Sequence, residues 1–173
     1  EYDFKSNIFR NEDDIKLHFH SDIVKPILKE VNPTMIHQYR SEEVLRAGGR
    51  TDATFQVISF EFKKEDRFSS DAGIKEALYG RDEKDHGLYD YIISNSGITE
   101  MDDELSVVKK LSTGIGIGFD GKQFIFGRFI SSSQKKHINV SKVSINIPEP
   151  INLTFFYEVK AFQPGLKRLA LLL

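Results

Sequence analysis

The sequence predicts an α/β fold with a mixed sheet held between helices, and three observations carry that prediction. An amphipathic helical run stands near the start, residues 51–63 read as two strands folding back on each other, and helical segments separate them from a second hairpin at Asp120-Gly121. Antiparallel hairpins joined through a helical crossover require both kinds of strand pairing, hence a mixed sheet.

Asn11 reads as a helix cap, followed by Glu12, Asp13 and Asp14 in a first turn where carboxylates complement the helix dipole. Ile15, Phe19, Ile23, Ile27 and Val31 then recur at near-helical spacing. Pro26, inside this run, should kink the helix or begin a second one, and Asn32-Pro33 closes it. "MIHQYR", residues 35–40, alternates as a short strand. Ser41, Glu43 and Leu45 leave the following residues ambiguous, and "AGG", residues 47–49, supplies a flexible turn.

Strands are expected over residues 51–55 and 57–63, joined by a very short turn that lacks the Asn or Gly such turns favour. After the polar "EDRFSSD", residues 72–79 and 87–93 suggest helix on either side of "GRDEKD", itself a loop or a solvated helical face. A short helix is expected over 105–111. "GIGIGFDGKQFIFGRFI" reads as a hairpin turning at Asp120-Gly121, where positive φ is needed. "GIGIG" lacks the Lys-Ser/Thr ending of a phosphate loop and reads as closely packed backbone. "HINVSKVSINIP" alternates through Ile138, Val140, Val143, Ile145 and Ile147, and "PGLKRLALLL" begins a helix with Pro164 in its first turn.

With 173 residues, 39% of them hydrophobic, the chain can bury the core of one ordinary domain. The 24 Lys+Arg against 26 Asp+Glu leave a net charge of −2, so a polyanionic partner must be held locally and not by an overall basic field. The absence of cysteine excludes disulfides, thiolate metal sites and a Cys nucleophile. No apolar run approaches the ~18 residues of a membrane span, and the first residues lack the order of a secretory signal, so a cytoplasmic setting is expected. The sequence starts at Glu1 and stops abruptly on "KRLALLL", which suggests a fragment of a longer polypeptide. His18 and His20 stand two apart, on different faces of a helix, which argues against a zinc pair.

The chemistry concentrates in residues 51–63. If the two strands pair through a minimal turn, Asp52 and Glu61 oppose each other; Lys63 shares their face, and Phe55, Val57, Phe60 and Phe62 form the other, core-directed face. Opposed carboxylates repel by up to ~1 kcal/mol, and a divalent cation between them reverses the sign. Carboxylate oxygens, with other positions left to water and phosphate, are how Mg²⁺ is held in phosphoryl-transfer sites. The backbone carbonyl of Phe62 is a further candidate ligand, and Lys63 could orient or deprotonate an attacking water and offset charge on the phosphate. The competing reading is a solvent-exposed charge cluster on a sheet edge, with Lys63 bridging the acids. Lys64, Arg67 and Lys75 are candidate phosphate contacts, although a solvated face explains each of them singly.

"GRTD", eight residues, then "EFK" resembles the signature of the PD-(D/E)xK nuclease superfamily, with Thr51 where the proline of the name stands. The "NEDDIKLHFHSDIVKPILKEVNP" segment resembles the helix preceding that signature, and "GIGIGFDGKQFIFGRF" the later hairpin, so the likeness extends from about Asn11 to Ile147. The compact form looks most like the N-terminal nuclease domain of single-chain restriction-modification enzymes linked to N6-adenine methyltransferases. The resemblance implies a restriction-endonuclease-like fold over residues 1–165, with 166–173 starting a linker or helix towards further domains. It implies a Mg²⁺-dependent DNA endonuclease, Mn²⁺ substituting, that leaves a 5′-phosphate. Asp52 and Glu61 would be the metal ligands, Lys63 the catalytic lysine, and Glu12, in the matching place on the first helix, a further candidate ligand. It implies double-stranded DNA as substrate, methyltransferase and target-recognition domains as partners, and pairing of two copies for double-strand cleavage. Relatives carry Gln-x-x-x-Tyr on the helix after the Glu-x-Lys strand; the frame here is Gly87 to Tyr91, which puts support from that helix in question. A non-catalytic DNA-binding or assembly domain on the same fold, and a repair or RNA-directed nuclease, are the alternatives.

Overall fold

The computed structural model describes Phe9 and residues 11–44, 50–82, 85–131, 143–146 and 153–173. Its centre is a seven-stranded sheet of order β1-β2-β3-β4-β5-β7-β6. The strands are β1 (Tyr39–Val44), β2 (Arg50–Phe55), β3 (Ile58–Phe62), β4 (Ile115–Phe119), β5 (Gln123–Ser131), β6 (Val143–Asn146) and β7 (Leu153–Ala161). The helices are α1 (Glu12–His18), α2 (Lys25–Val31), α3 (Asp71–Tyr79), α4 (Leu88–Asn95), α5 (Glu104–Thr113) and α6 (Phe162–Leu172). Strand β3 pairs parallel with β4, while β1–β2, β2–β3, β4–β5, β5–β7 and β6–β7 are antiparallel. The fold is therefore the expected α/β class with a mixed sheet, consistent with a restriction-endonuclease-like arrangement.

The sheet buries both faces. On one, Ile15, Phe19 and Ile23 of the N-terminal helical run and Leu169 of α6 meet Phe60, Phe62, Ile117, Phe119, Phe124 and Phe126. On the other, Ile74 and Leu78 of α3, Leu88 and Ile92 of α4 and Leu111 of α5 meet Ile125, Phe129 and Phe155. Phe19 sits amid four rings, 5.5 Å from Phe60, 5.1 Å from Phe62, 5.1 Å from Phe119 and 6.3 Å from Phe124. That aromatic cluster clamps the hydrophobic face of β3, so whatever β3 presents on its reverse is held rigidly.

The Asn11 side chain caps α1 by accepting the Asp14 N–H at 2.9 Å. Pro26 begins a second helix, the second of the two outcomes its place in the run allows. Residues Phe19–Val24 widen into a π-helical stretch in which the Lys25 N–H reaches back to the His20 carbonyl, and Pro26 falls in the first turn of α2, where its missing N–H costs little. The strand expected at residues 35–40 is corrected: Pro33–Gln38 form a 3₁₀ helix, started by Pro33 and by the Met35 N–H to Asn32 carbonyl bond of 3.0 Å, and β1 begins only at Tyr39. Residues 41–44 resolve as strand, and the "AGG" turn, Ile138 and Val140 lie outside the described residues.

The β2–β3 hairpin forms with Gln56 and Val57 as its two-residue turn, Gln56 standing at φ 53. Val57 is 45% exposed at this turn, so it does not belong to the core-directed face assigned to it. The second hairpin turns with Gly121 at φ 87, as expected from Asp120-Gly121. Asp120 is fully buried and accepts the N–H groups of Phe68, Lys122 and Gln123 at 2.8, 3.0 and 2.7 Å, tying that turn to the loop after β3. A Cβ at Gly116 would meet Leu88 at 3.1 Å, which is the close approach of α4 that "GIGIG" implied. Strand β7 was unforeseen because "LTF" at its start is buried without alternation. The helix expected from "PGLKRLALLL" is α6, seated on the core through buried Leu169. No helix among the described residues is long and apolar enough to cross a membrane.

Candidate active site

The hairpin places its charged residues on the face covered by α3 and α4. Phe55–Ile58, Thr54–Ser59 and Ala53–Phe60 are paired, a register that leads towards Asp52 and Glu61. The paired residues end there, and the Asp52 carboxylate itself accepts the Phe62 N–H at 2.8 Å. Asp52 is thereby fixed beside the backbone of β3. Its other oxygen lies 3.7 Å from Lys16 Nζ of α1.

Glu61, on the interior strand β3, and Lys63, immediately after its end, are 3% and 5% exposed, which overturns the solvent-exposed edge cluster. Lys63 Nζ is 2.6 Å from Glu61 Oε1 and 3.8 Å from Glu76 Oε1, so it does bridge acids, but inside the protein. Burial first, then the charge of Asp52, pushes the Glu61 carboxyl up to about 8 despite Lys63 and a hydrogen bond from Tyr91. Burial alone would lower the Lys63 ammonium; Glu61 above all, with Glu12 and Glu76, outweighs it and holds Lys63 above its ordinary value. Glu12 thus stands close enough to act electrostatically on Lys63. An ion pair removed from water in this way contributes little net stability, because desolvation offsets most of the attraction.

Two further residues join the cluster, Glu76, which the sequence did not single out, and Tyr91, which ends the Gly87-to-Tyr91 frame. Glu76 of α3 is 8% exposed; burial raises its carboxyl, yet Arg67, Lys63 and Arg81 together hold it below the ordinary range. Arg67 bonds it through its guanidinium, Nε at 3.1 Å, and Arg81 Nε lies 3.1 Å from its other oxygen. The available signal was its place in the row Gly73, Glu76, Ala77, Gly80, which is otherwise made of small residues. Tyr91 of α4 is 5% exposed and bonds Glu61, so α4 does support the site through the tyrosine of its Gly87-to-Tyr91 frame. Gly87 has a steric reason: a Cβ there would lie 2.5 Å from backbone atoms of Leu78 and Tyr79, where α4 starts against the end of α3.

Glu12, Lys64, Glu65, Asp66, Arg67, Ser70, Glu76 and Arg81 line a polar cleft of about 430 Å³ next to this cluster. Arg67 faces Glu76, whereas Lys64 and Lys75 are exposed. His18 bonds Asp22 at 2.7 Å, and His20 stacks on Tyr39 at 4.7 Å, so the two histidines diverge as their spacing required. Among the described residues no three His, Cys, Asp or Glu side chains converge as a metal-holding group. Asp52 and Glu61 nevertheless offer a donor set that fits one hard divalent ion: two carboxylates, with Asp52 close enough to raise Glu61, beside a polar cleft.

No protein-family model, curated protein or solved structure matches the chain.

Proposed function

We propose that the protein is a divalent-metal-dependent DNA endonuclease whose centre is Asp52, Glu61 and Lys63. The observation that carries the reading is the burial of Glu61 on the interior strand β3 and of Lys63 at its end, with Asp52 alongside and the Glu61 carboxyl raised to about 8. Such an arrangement does little for stability, and carboxylates pressed together by a rigid scaffold are typical of groups kept for chemistry. A bound Mg²⁺ would supply Lewis-acid activation of a water and of the scissile phosphate.

The chain's own residues divide the remaining work. Asp52 and Glu61 would hold the ion, with the Phe62 carbonyl and Glu12 as candidate further ligands. Tyr91 orients Glu61, and the Phe62 N–H orients Asp52. Lys63 offers its ammonium to the developing phosphate charge and can orient the attacking water. Glu76 keeps Lys63, Arg67 and Arg81 gathered at the cleft. The near-neutral chain gains little from counterion release, so weak binding of DNA by itself is expected, with neighbouring methyltransferase and target-recognition domains delivering the substrate.

Incubation with Mg²⁺ or Mn²⁺ and duplex DNA, branched DNA or RNA tests this. Metal-dependent cleavage of duplex DNA supports the reading. Preference for branched DNA or RNA redirects it to a repair or RNA-directed nuclease, and no cleavage with any of them favours a binding or assembly module.

A further inference from the structure

The hairpin that carries Asp52 and Glu61 ends in a second polar cleft, of about 430 Å³, lined by His37, Gln38, Arg40, Thr54, Gln56 and Asn95. Side chains alternate along strands, so Thr54 lies on the same sheet face as Asp52, and its cross-strand partners Arg40 and Ser59 continue that face. The α4 helix connects the two places: Tyr91 bonds Glu61 at one end, and the Asn95 side chain donates to the Gln56 carbonyl at 3.1 Å at the other.

The chemistry of this lining differs from that of the first cleft. It holds amides, a guanidinium, an imidazole and a hydroxyl, and no carboxylate. Amides both donate and accept, and with arginine they are the side chains that match the edges of adenine and guanine. A carboxylate-free set also suits a site beside phosphates. The turn adds an independent observation. Gln56 is at φ 53, a left-handed conformation in which glycine is the unstrained choice, and its side chain is exposed and supports no core. A glutamine at a strained, solvent-facing position points to use of its side chain.

We propose that this cleft reads base edges of the duplex being cut, which adds a local base preference close to the cleavage point; the inference rests on the endonuclease reading. From Asp52 to Phe55 the extended strand advances about 10 Å, so the two clefts lie close enough for one duplex to meet both.

The test is selection from a randomised duplex library without divalent metal, followed by sequencing, for the wild-type protein and for Gln56→Gly, Gln38→Ala and Arg40→Ala. The wild type should enrich a short base preference. Gln56→Gly should lose it, with affinity for the selected duplex down about tenfold, while its melting temperature stays level or rises because glycine relieves the turn. Selection unchanged in the variants overturns the inference, as does a uniform loss over all sequences, which marks phosphate contact alone, or a preference for single-stranded RNA. Because binding is read without metal, base selection by a protein that does not cut defeats only the endonuclease reading; cutting with selection unaltered in the variants defeats only this one.

Discussion

Lys63 Nζ sits 2.6 Å from Glu61 Oε1, with the two side chains only 7% and 4% exposed. Truncation of either partner leaves the other buried without its counter-charge. Lys63→Ala should lower stability by about 3 kcal/mol, and the loss should be greater at pH 9 than at pH 6, where Glu61 can take up a proton instead. Urea unfolding of the variant at the two pH values measures both.

The raised Glu61 carboxyl sets a pH dependence of its own. The folded protein keeps a proton up to about pH 8 that the unfolded chain releases near 4.5. The contribution is therefore fully present below pH 4.5 and lost as pH rises through about 8. Relative to Glu61→Gln, the wild-type protein should lose on the order of a few kcal/mol between pH 5 and pH 9. Mg²⁺ at pH 8 should raise the melting temperature of the wild type and leave that of Glu61→Gln unchanged.

Tyr91→Phe removes the hydroxyl that bonds Glu61 and keeps the ring in its buried place. Loss of that donor should cost about 1–3 kcal/mol of stability and push the Glu61 carboxyl higher still. The acid limb of the pH–rate profile for DNA cleavage should then move to higher pH, with kcat down on the order of tenfold.

Gly87→Gln restores the glutamine of the Gln-x-x-x-Tyr pattern and should nevertheless be harmful. A Cβ there would lie 2.5 Å from backbone atoms of Leu78 and Tyr79, which forces α3 and α4 apart and withdraws Tyr91 from Glu61. Thermal melting should show a loss of more than 1 kcal/mol, with cleavage falling and not rising.

Phe19→Ala empties the centre of the ring cluster behind β3 and should cost about 3–5 kcal/mol. A calorimetric melt reads this directly. Phe19 belongs to neither polar cleft, so this loss comes from packing.

Much of the arrangement was legible because local chemistry and tertiary packing agree. Asn11 capped its helix, Asp120-Gly121 made its turn, and the two strands of residues 51–63 folded back even though Gln56 is a poor turn residue, because the aromatic face of β3 fixes the register. What stayed hidden depended on distant partners. β7 shows no alternation at its buried start, and the 3₁₀ helix over Pro33–Gln38 has the same apolar spacing as a short strand. Asp52, Glu61 and Lys63 were readable from spacing, whereas Glu76 and Tyr91 join them only through α3 and α4, whose docking no local pattern encodes.

Plasmid cleavage with Mg²⁺ or Mn²⁺ by the wild-type, Asp52→Ala and Lys63→Ala proteins tests the central claim most directly. The account predicts metal-dependent nicking or linearisation by the wild type that both substitutions abolish, in variants whose melting curves still show a folded protein. Cleavage that survives both substitutions would contradict it.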